Sequence, residues 1–399
     1  MKRRDFLKGI ALSALAVGSS TDSFGVSQTS PGGKPLPANQ PARVSLAGVS
    51  HSASLEAFKA AVREAALAAT DFSWLSKGDS LFIKPALNSG LPYPSTTSPI
   101  AIATMVELLR ERGASRVIVG DMCGIEHVKL SPDGLSGSSR RLMEASGMAR
   151  AAQAAGAELH FFEEAGWDAF YEDPMASGAH WRRDLMMPNI LKEVDHIILM
   201  PRCARHVLAG STLGLKAAVG YWRTDTRLEY HRDAVTFHEK TAEANTSQTL
   251  LKKQRLVLSA ADKILTTVGP DEGYVHQPEI GMVIASESVI AHDMVSLAWL
   301  LENRRRIPSA KQNGFIDHSP LVASVANDWV VFKLGGLKAT ITSDKLIKND
   351  LKTLRDDRVL NYAYPLFGGT PNLAIQAANG ALSEELIKSL NEMTRISLG

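Results

Sequence analysis

From about residue 43 onward, short apolar runs alternate with longer stretches whose apolar residues recur at helical spacing. Residues 57–69 are rich in Ala, Leu and Val at that spacing, and Ser54 supplies an N-cap. Residues 79–85 read as a short buried strand ended by proline. Ser98 and Pro99 then open a helix through Arg112, the serine as cap and the proline in the first turn, and Gly113 ends it. The pattern continues with a strand at 116–121, a helix around 140–155, and strands at 158–162 and 195–201. A short helix over 211–219 capped by Ser211, helices near 241–260, strands at 263–268 and 282–285, and a helix over 289–303 complete it. Apolar strands alternating with helices predict an α/β fold: a mostly parallel open sheet with helices on both faces. Beyond Arg304 the pattern changes. Residues 330–333 and 339–342 flank Gly335-Gly336, which predicts a hairpin, and Thr370-Pro371 opens a helix to about Asn379. Together these predict a small C-terminal α+β extension over 305–399, packed on the same domain.

The N-terminus is patterned differently. Arg3-Arg4, then Phe6-Leu7-Lys8, then the apolar run Gly9 to Val17, resemble a bacterial twin-arginine export signal. The resemblance implies a signal over 1–25, passage through the twin-arginine export machinery in the folded state, and a periplasmic or otherwise extracytoplasmic site of action. The apolar run is shorter than the roughly 20 residues that a bilayer span needs, so no stable membrane span is expected. Residues 26–41, rich in Ser, Gly and Pro, read as a flexible linker, and 42–304 as the α/β domain.

Composition narrows the chemistry. Residues 1–25 carry four basic and two acidic side chains, so the whole-chain charge of +2 falls to zero without them. With no long basic run, nucleic acid is not an expected partner. The two cysteines, Cys123 and Cys203, are too few for a cysteine-ligated iron–sulfur cluster from this chain alone, and for a disulfide-rich scaffold.

Ligands in open parallel sheets bind beyond the carboxyl ends of the strands. One predicted strand ends in Lys84 to Asn88, the next in Asp121 to Cys123, and a third in Arg202 to His206 with Lys216 shortly beyond. A fourth ends at Asp271. Lys84, Arg202, Arg205 and Lys216 would bring positive charge to one crevice, which suits a carboxylate or phosphate; Asn88 and Asp271 join them as ligand-binding candidates. The catalytic candidates are Lys84, Asp121, His206, Lys216 and His238. His231 and His238 sit on an expected loop and could serve as general bases, as could His276. Cys123, Cys203 and His206, with Asp121 and His127 nearby, offer a divalent-metal site; the cysteines could equally form a disulfide or be buried thiols. No nucleophile elbow, Walker loop, GxGxxG opening or HExxH motif is present.

The order Ile83-Lys84-Pro85…Asn88, Thr97-Ser98-Pro99, Val117 to Asp121, Pro201…His206, Gly214-Leu215-Lys216, Gly269-Pro270…Gly273 and the late Asp293 resembles the domain-of-unknown-function family 362, over about 77–299. That resemblance implies an α/β fold and no established general activity. The chain departs from the family's usual patterns. It has Lys84-Pro85-Ala86-Leu87-Asn88 where Lys-Pro-Asn is usual, Pro201-Arg202-Cys203-Ala204-Arg205-His206 where Pro-Lys-x-Lys-x-x-His is usual, and Ala217 where an Asn is usual. The ferredoxin-like segment of some relatives is missing. The expectation is an exported α/β protein with a crevice for an anionic ligand or a metal, catalytic in a reaction the sequence does not name. The alternative is a non-enzymatic periplasmic binding or accessory protein for a metal or solute.

Overall fold

Strands that are apolar on both sides need helices over both faces of their sheet. The structure, a computed structural model, meets that need; it describes residues 41–267, 269–307, 320–343 and 351–395, with the strand pair Thr29–Ser30 and Lys34–Pro35. The signal over 1–25 lies outside the described residues, as do most positions of the linker. Among the described residues no helix is long and apolar enough to cross a membrane.

One eight-stranded sheet forms the centre. In chain order its strands are β1 (Ala42–Ser50), β2 (Ser80–Pro85), β3 (Arg116–Asp121), β4 (Glu158–Phe161), β5 (His196–Met200), β6 (Gln254–Ala260), β7 (Ile280–Ser286) and β8 (Leu373–Ala377). They lie side by side in the order β8-β1-β7-β6-β5-β2-β3-β4, and β7 alone runs antiparallel to its neighbours. Helices α1 (Leu55–Ala69) and α2 (Pro99–Glu111) cover one face, with Ser54 and Ser98 capping their first turns as expected. Alternate residues of β1 divide between two cores: Ala47 and Val49 join α1, while Val44 and Leu46 face the opposite side.

Between β5 and β6 the chain leaves the sheet. It forms two short strands (Ala204–His206 and Gly210–Thr212), a one-turn helix (Gly214–Ala217) and α3 (Thr224–Arg232). The short strands belong to a small four-stranded sheet with Ile264–Leu265 and Val275–His276. Helix α4 (Val289–Arg305), almost wholly buried, packs on the second face of the main sheet, and α5 (Pro320–Thr342) packs against α3.

Several expected elements differ. The helix expected to reach residue 260 stops at Lys253, and 254–260 form the interior strand β6. A continuous apolar run satisfies a buried strand and a buried helix alike, and here the empty place between β5 and β7 decides it. The expected strand at 263–268 is reduced to Ile264–Leu265 in the small sheet, with Val268 outside the described residues. Ser211 lies in a strand and caps nothing. The helix around 140–155 is two helices, broken where Gly147 takes φ 84°.

The expected C-terminal hairpin is α5, whose two helical pieces meet at Gly336 (φ 71°, ψ −169°). Asn327 and Val331 are buried four residues apart, a helical spacing that outweighs the turn character of Gly335-Gly336. The expected helix from Thr370 is instead β8, which pairs in parallel with β1 at the sheet's edge. Backbone pairing along β1 there overrides the helical propensity of Leu373 to Ala377.

Candidate functional site

Strands β2 and β3 lie side by side in parallel, so their last residues share one rim of the sheet. Lys84 Nζ and Asp121 Oδ2 form an ion pair there at 3.0 Å, both side chains 2% exposed. Lys84 Nζ also donates to the Pro85 carbonyl (2.9 Å). The Asp121 carboxylate accepts the backbone N–H groups of Leu87 (3.0 Å) and Met122 (2.8 Å), which favour its charged form. Burial pushes the Asp121 carboxyl up and the Lys84 ammonium down, while their mutual attraction opposes both shifts. A side chain at Gly220 would collide with Lys84 Nζ and Asp121 Oδ1, so any larger residue there would have to displace the ion pair.

Arg227 of α3 is buried among backbone carbonyls. Its Nε donates to Trp222 (2.8 Å), its Nη1 to Cys123 (2.7 Å), and its Nη2 to Met122 (2.9 Å) and Gly220 (2.7 Å). It thus ties the loop after β3 to the turn that carries Gly220. Burial lowers it to about 10, still far above neutrality.

Lys216 stands at the end of the Gly214–Ala217 turn. Asp293 of α4 fixes that turn by accepting the Gly214 and Leu215 N–H groups, one on each carboxylate oxygen, both at 2.7 Å. The Lys216 ammonium lies 5.8 Å from the Tyr230 ring centroid. Among the described residues it has no hydrogen bond and no carboxylate partner. Burial first, then the charges of Arg202, Arg227 and Lys84, lower it to about 7.

These groups line one cavity of about 370 Å³, a size suited to a small organic molecule. Lys84, Asn88, Asp121, Glu126, His127, His206, Thr212, Lys216, Arg227, His231, Asp271 and Glu272 contribute its polar wall. Leu87, Met122, Ile125, Val207, Leu208 and Val219 contribute apolar wall, joined by Ala326, Trp329 and Val330 of α5. His206 Nδ1 accepts the N–H groups of Leu208 (3.1 Å) and Ala209 (3.2 Å), so the ring proton sits on Nε2. Burial and the nearby Lys216 and Arg202 hold His206 well below its ordinary value, hence neutral. His231 is held neutral in the same way by burial and Lys216, and among the described residues its buried Nδ1 has no partner. Asp271 reaches His127 Nε2 at 4.0 Å, and its carboxylate raises that imidazole.

Of the residues expected at the site, Lys84, Asn88, Asp121, His206, Lys216 and Asp271 do meet around this cavity. Arg202 and Arg205 do not line it. Both are fully buried, donating to the Ser95 and Gly210 carbonyls respectively, and they act on the cavity through charge alone. His238 is also absent from the wall. It lies in the helix Phe237–Glu243 rather than on a loop, is 1% exposed, and burial drives it to about 3, which makes it a poor base.

The metal and disulfide readings fail. Among the described residues no three His, Cys, Asp or Glu side chains are placed to hold a metal ion, so Cys123, Cys203 and His206 do not form a site. Both cysteines are free and buried. Cys123 follows β3 and Cys203 follows β5, with β2 between; two strand spacings of roughly 4.8 Å exceed what a disulfide spans. The thiols donate instead to the carbonyls of Asn88 (3.1 Å) and Ser296 (3.4 Å).

Residues 81–298 match the family model described as "Domain of unknown function (DUF362)", more than half of the chain. The chain belongs to the DUF362 family. Every polar wall residue of the cavity falls within the matched span, whereas α5 lies beyond it. No curated protein matches the chain. Among solved structures it is similar to the lactate racemase apoprotein from Thermoanaerobacterium thermosaccharolyticum. The identity is 12% and the TM-score 0.40, over 65% of this chain and 58% of that one. The chain therefore spans less than two thirds of that protein's length.

Proposed function

We propose that this DUF362 member binds a small organic anion in the cavity beyond β2, β3 and β5, and moves a proton there through Lys216. The observation that carries this reading is the isolation of the Lys216 ammonium. Its neighbours Lys84, Arg227 and Arg202 are all cations, and no carboxylate answers it among the described residues. An anion would relieve that repulsion and raise the affinity of Lys216 for its proton. Neutral His206 and His231 line the same cavity and can exchange protons with a bound molecule. The apolar wall favours organic anions over fully hydrated inorganic ones.

Isothermal titration calorimetry with acetate, malonate, pyruvate and inorganic phosphate tests the reading. Saturable binding of at least one carboxylate is expected, weakened tenfold or more in Lys216→Met. Equal affinity in the variant, or no saturable binding by any of the four, overturns it. A bound anion that undergoes no chemical change in turnover assays would favour a solute-binding role instead.

The sequence of residues 1–25 supports export by the twin-arginine route. Replacing Arg3 and Arg4 together by Lys should hold the protein in the cytoplasm, as fractionation would read; unchanged export would end that proposal.

A further inference from the structure

Three cations share the cavity, and two are already committed. Lys84 is bound to Asp121 and to the Pro85 carbonyl. Arg227 spends its guanidinium on four backbone carbonyls. Among the described residues the Lys216 head group alone of the three has no hydrogen bond and no carboxylate partner, only the Tyr230 ring at 5.8 Å, and it projects from a turn locked by Asp293 into a space walled by Leu87, Met122 and Val207. An amine so placed, only partly exposed and beside other cations, loses its proton readily and becomes a nucleophile.

We propose that Lys216 is a carbonyl-capturing amine, and that the anion of this cavity is an oxo acid held as an imine on Lys216 Nζ. This rests on the anion-binding reading and names its substrate class. In the step, the lone pair of neutral Lys216 Nζ attacks the carbonyl carbon and a C–N bond forms. The carbonyl π electrons move to oxygen, which takes up a proton to give a carbinolamine. That hydroxyl then leaves as water while nitrogen forms C=N. Amine and carbonyl become imine and water, with no change in oxidation level.

His231, whose buried Nδ1 has no partner among the described residues, lines the same cavity and is the group placed to pass the protons. The cationic surroundings offset the carboxylate of the oxo acid, and the apolar wall limits the water that would reverse the step.

The test is reductive trapping. Full-length purified protein is incubated with pyruvate and sodium cyanoborohydride, then examined by intact mass and peptide mapping. A single reduced pyruvyl adduct on the peptide containing Lys216 is expected. Acetone, a carbonyl of similar size without a carboxylate, should give at least tenfold less. Lys216→Arg keeps the charge and removes the nucleophile, so it should lose the adduct. Because mapping on the wild-type protein locates the adduct, a variant that fails to fold leaves the test intact. Adducts scattered over surface lysines, or an adduct undiminished in Lys216→Arg, would overturn the imine. Acetate binding without any pyruvate adduct would also overturn it, yet leave the anion reading standing. No binding of either molecule would remove both.

Discussion

Removing one member of a buried ion pair strands the other charge in an apolar surrounding, at a cost of about 3–5 kcal/mol. At this rim the two members are not equivalent. Without Lys84, Asp121 keeps the N–H groups of Leu87 and Met122 and the field of Arg227. Without the Asp121 charge, Lys84 keeps the Pro85 carbonyl and faces Arg227. Asp121→Asn should therefore destabilise more than Lys84→Met, and the double variant should recover part of the loss. Urea unfolding of all three decides it, and additive, equal losses would refute the argument. Lys216 gives a second expectation. Its proton affinity falls from about 10.5 to about 7 on folding, so in between the unfolded chain holds a proton that the native one lacks. Stability from this group thus rises with pH across that window, and Lys216→Met should remove the slope, as urea midpoints near pH 7 and near pH 10 would show. Anion affinity should run the other way, weakening about tenfold per pH unit above about 7 as the ammonium discharges. Lys84, Asp121, His206 and Lys216 were legible in the sequence because the strand-end rule needs only a buried strand and the polar residue after it. Arg227 was not: it works through main-chain carbonyls of distant loops, and no side-chain pattern announces that. His238 misled because a histidine among polar residues reads as exposed, whereas here its helix turns it into the core.

At the scale of elements, the turn Gly214–Ala217 is too short to hold itself and depends on α4. Asp293 satisfies its first two N–H groups, and a side chain at Gly214 would lie 2.8 Å from Asp293 Oδ1 and from Val289. Asp293→Asn keeps the shape but loses the charge and leaves one N–H without an acceptor, at a cost of about 1–3 kcal/mol. Because the same turn carries Lys216, the variant should also weaken anion binding several-fold and shift the pH at which Lys216 becomes trappable. A loss of stability with the Lys216 midpoint unchanged would make Asp293 structural only. The elements that build the rim, β2, β3 and β5, were readable as apolar runs ended by proline or a polar residue. Those that were not share a cause. β6, β8 and α5 are decided by partners distant in the chain: a gap between two strands, a free edge along β1, and the surface of α3. Local pattern carries no record of such partners.

For the whole molecule, the division of the cavity matters most. Its polar chemistry comes from the span shared with the DUF362 family, and part of its apolar cover from α5 outside that span. Cover and floor meet through Lys333 of α5 and Glu126 at 3.7 Å, both about one third exposed, which is a weak tie. Trp329 beside it is 53% exposed yet contributes to the cavity wall. Its loss should scarcely affect stability, by about 1 kcal/mol or less, as for most surface changes. It should affect the chemistry more. With the wall opened, water reaches Lys216 and the burial that discharges it is relieved, so its proton affinity climbs back toward the ordinary lysine value. Trp329→Ala is therefore expected to shift the pH midpoint of Lys216 labelling upward from about 7, with the unfolding midpoint nearly unchanged. Substitution of the equally exposed Phe332, which is not part of the wall, is the control and should leave the Lys216 midpoint in place. If both variants behave alike, α5 does not govern the cavity, and the low proton affinity of Lys216 arises from the family-matched span alone.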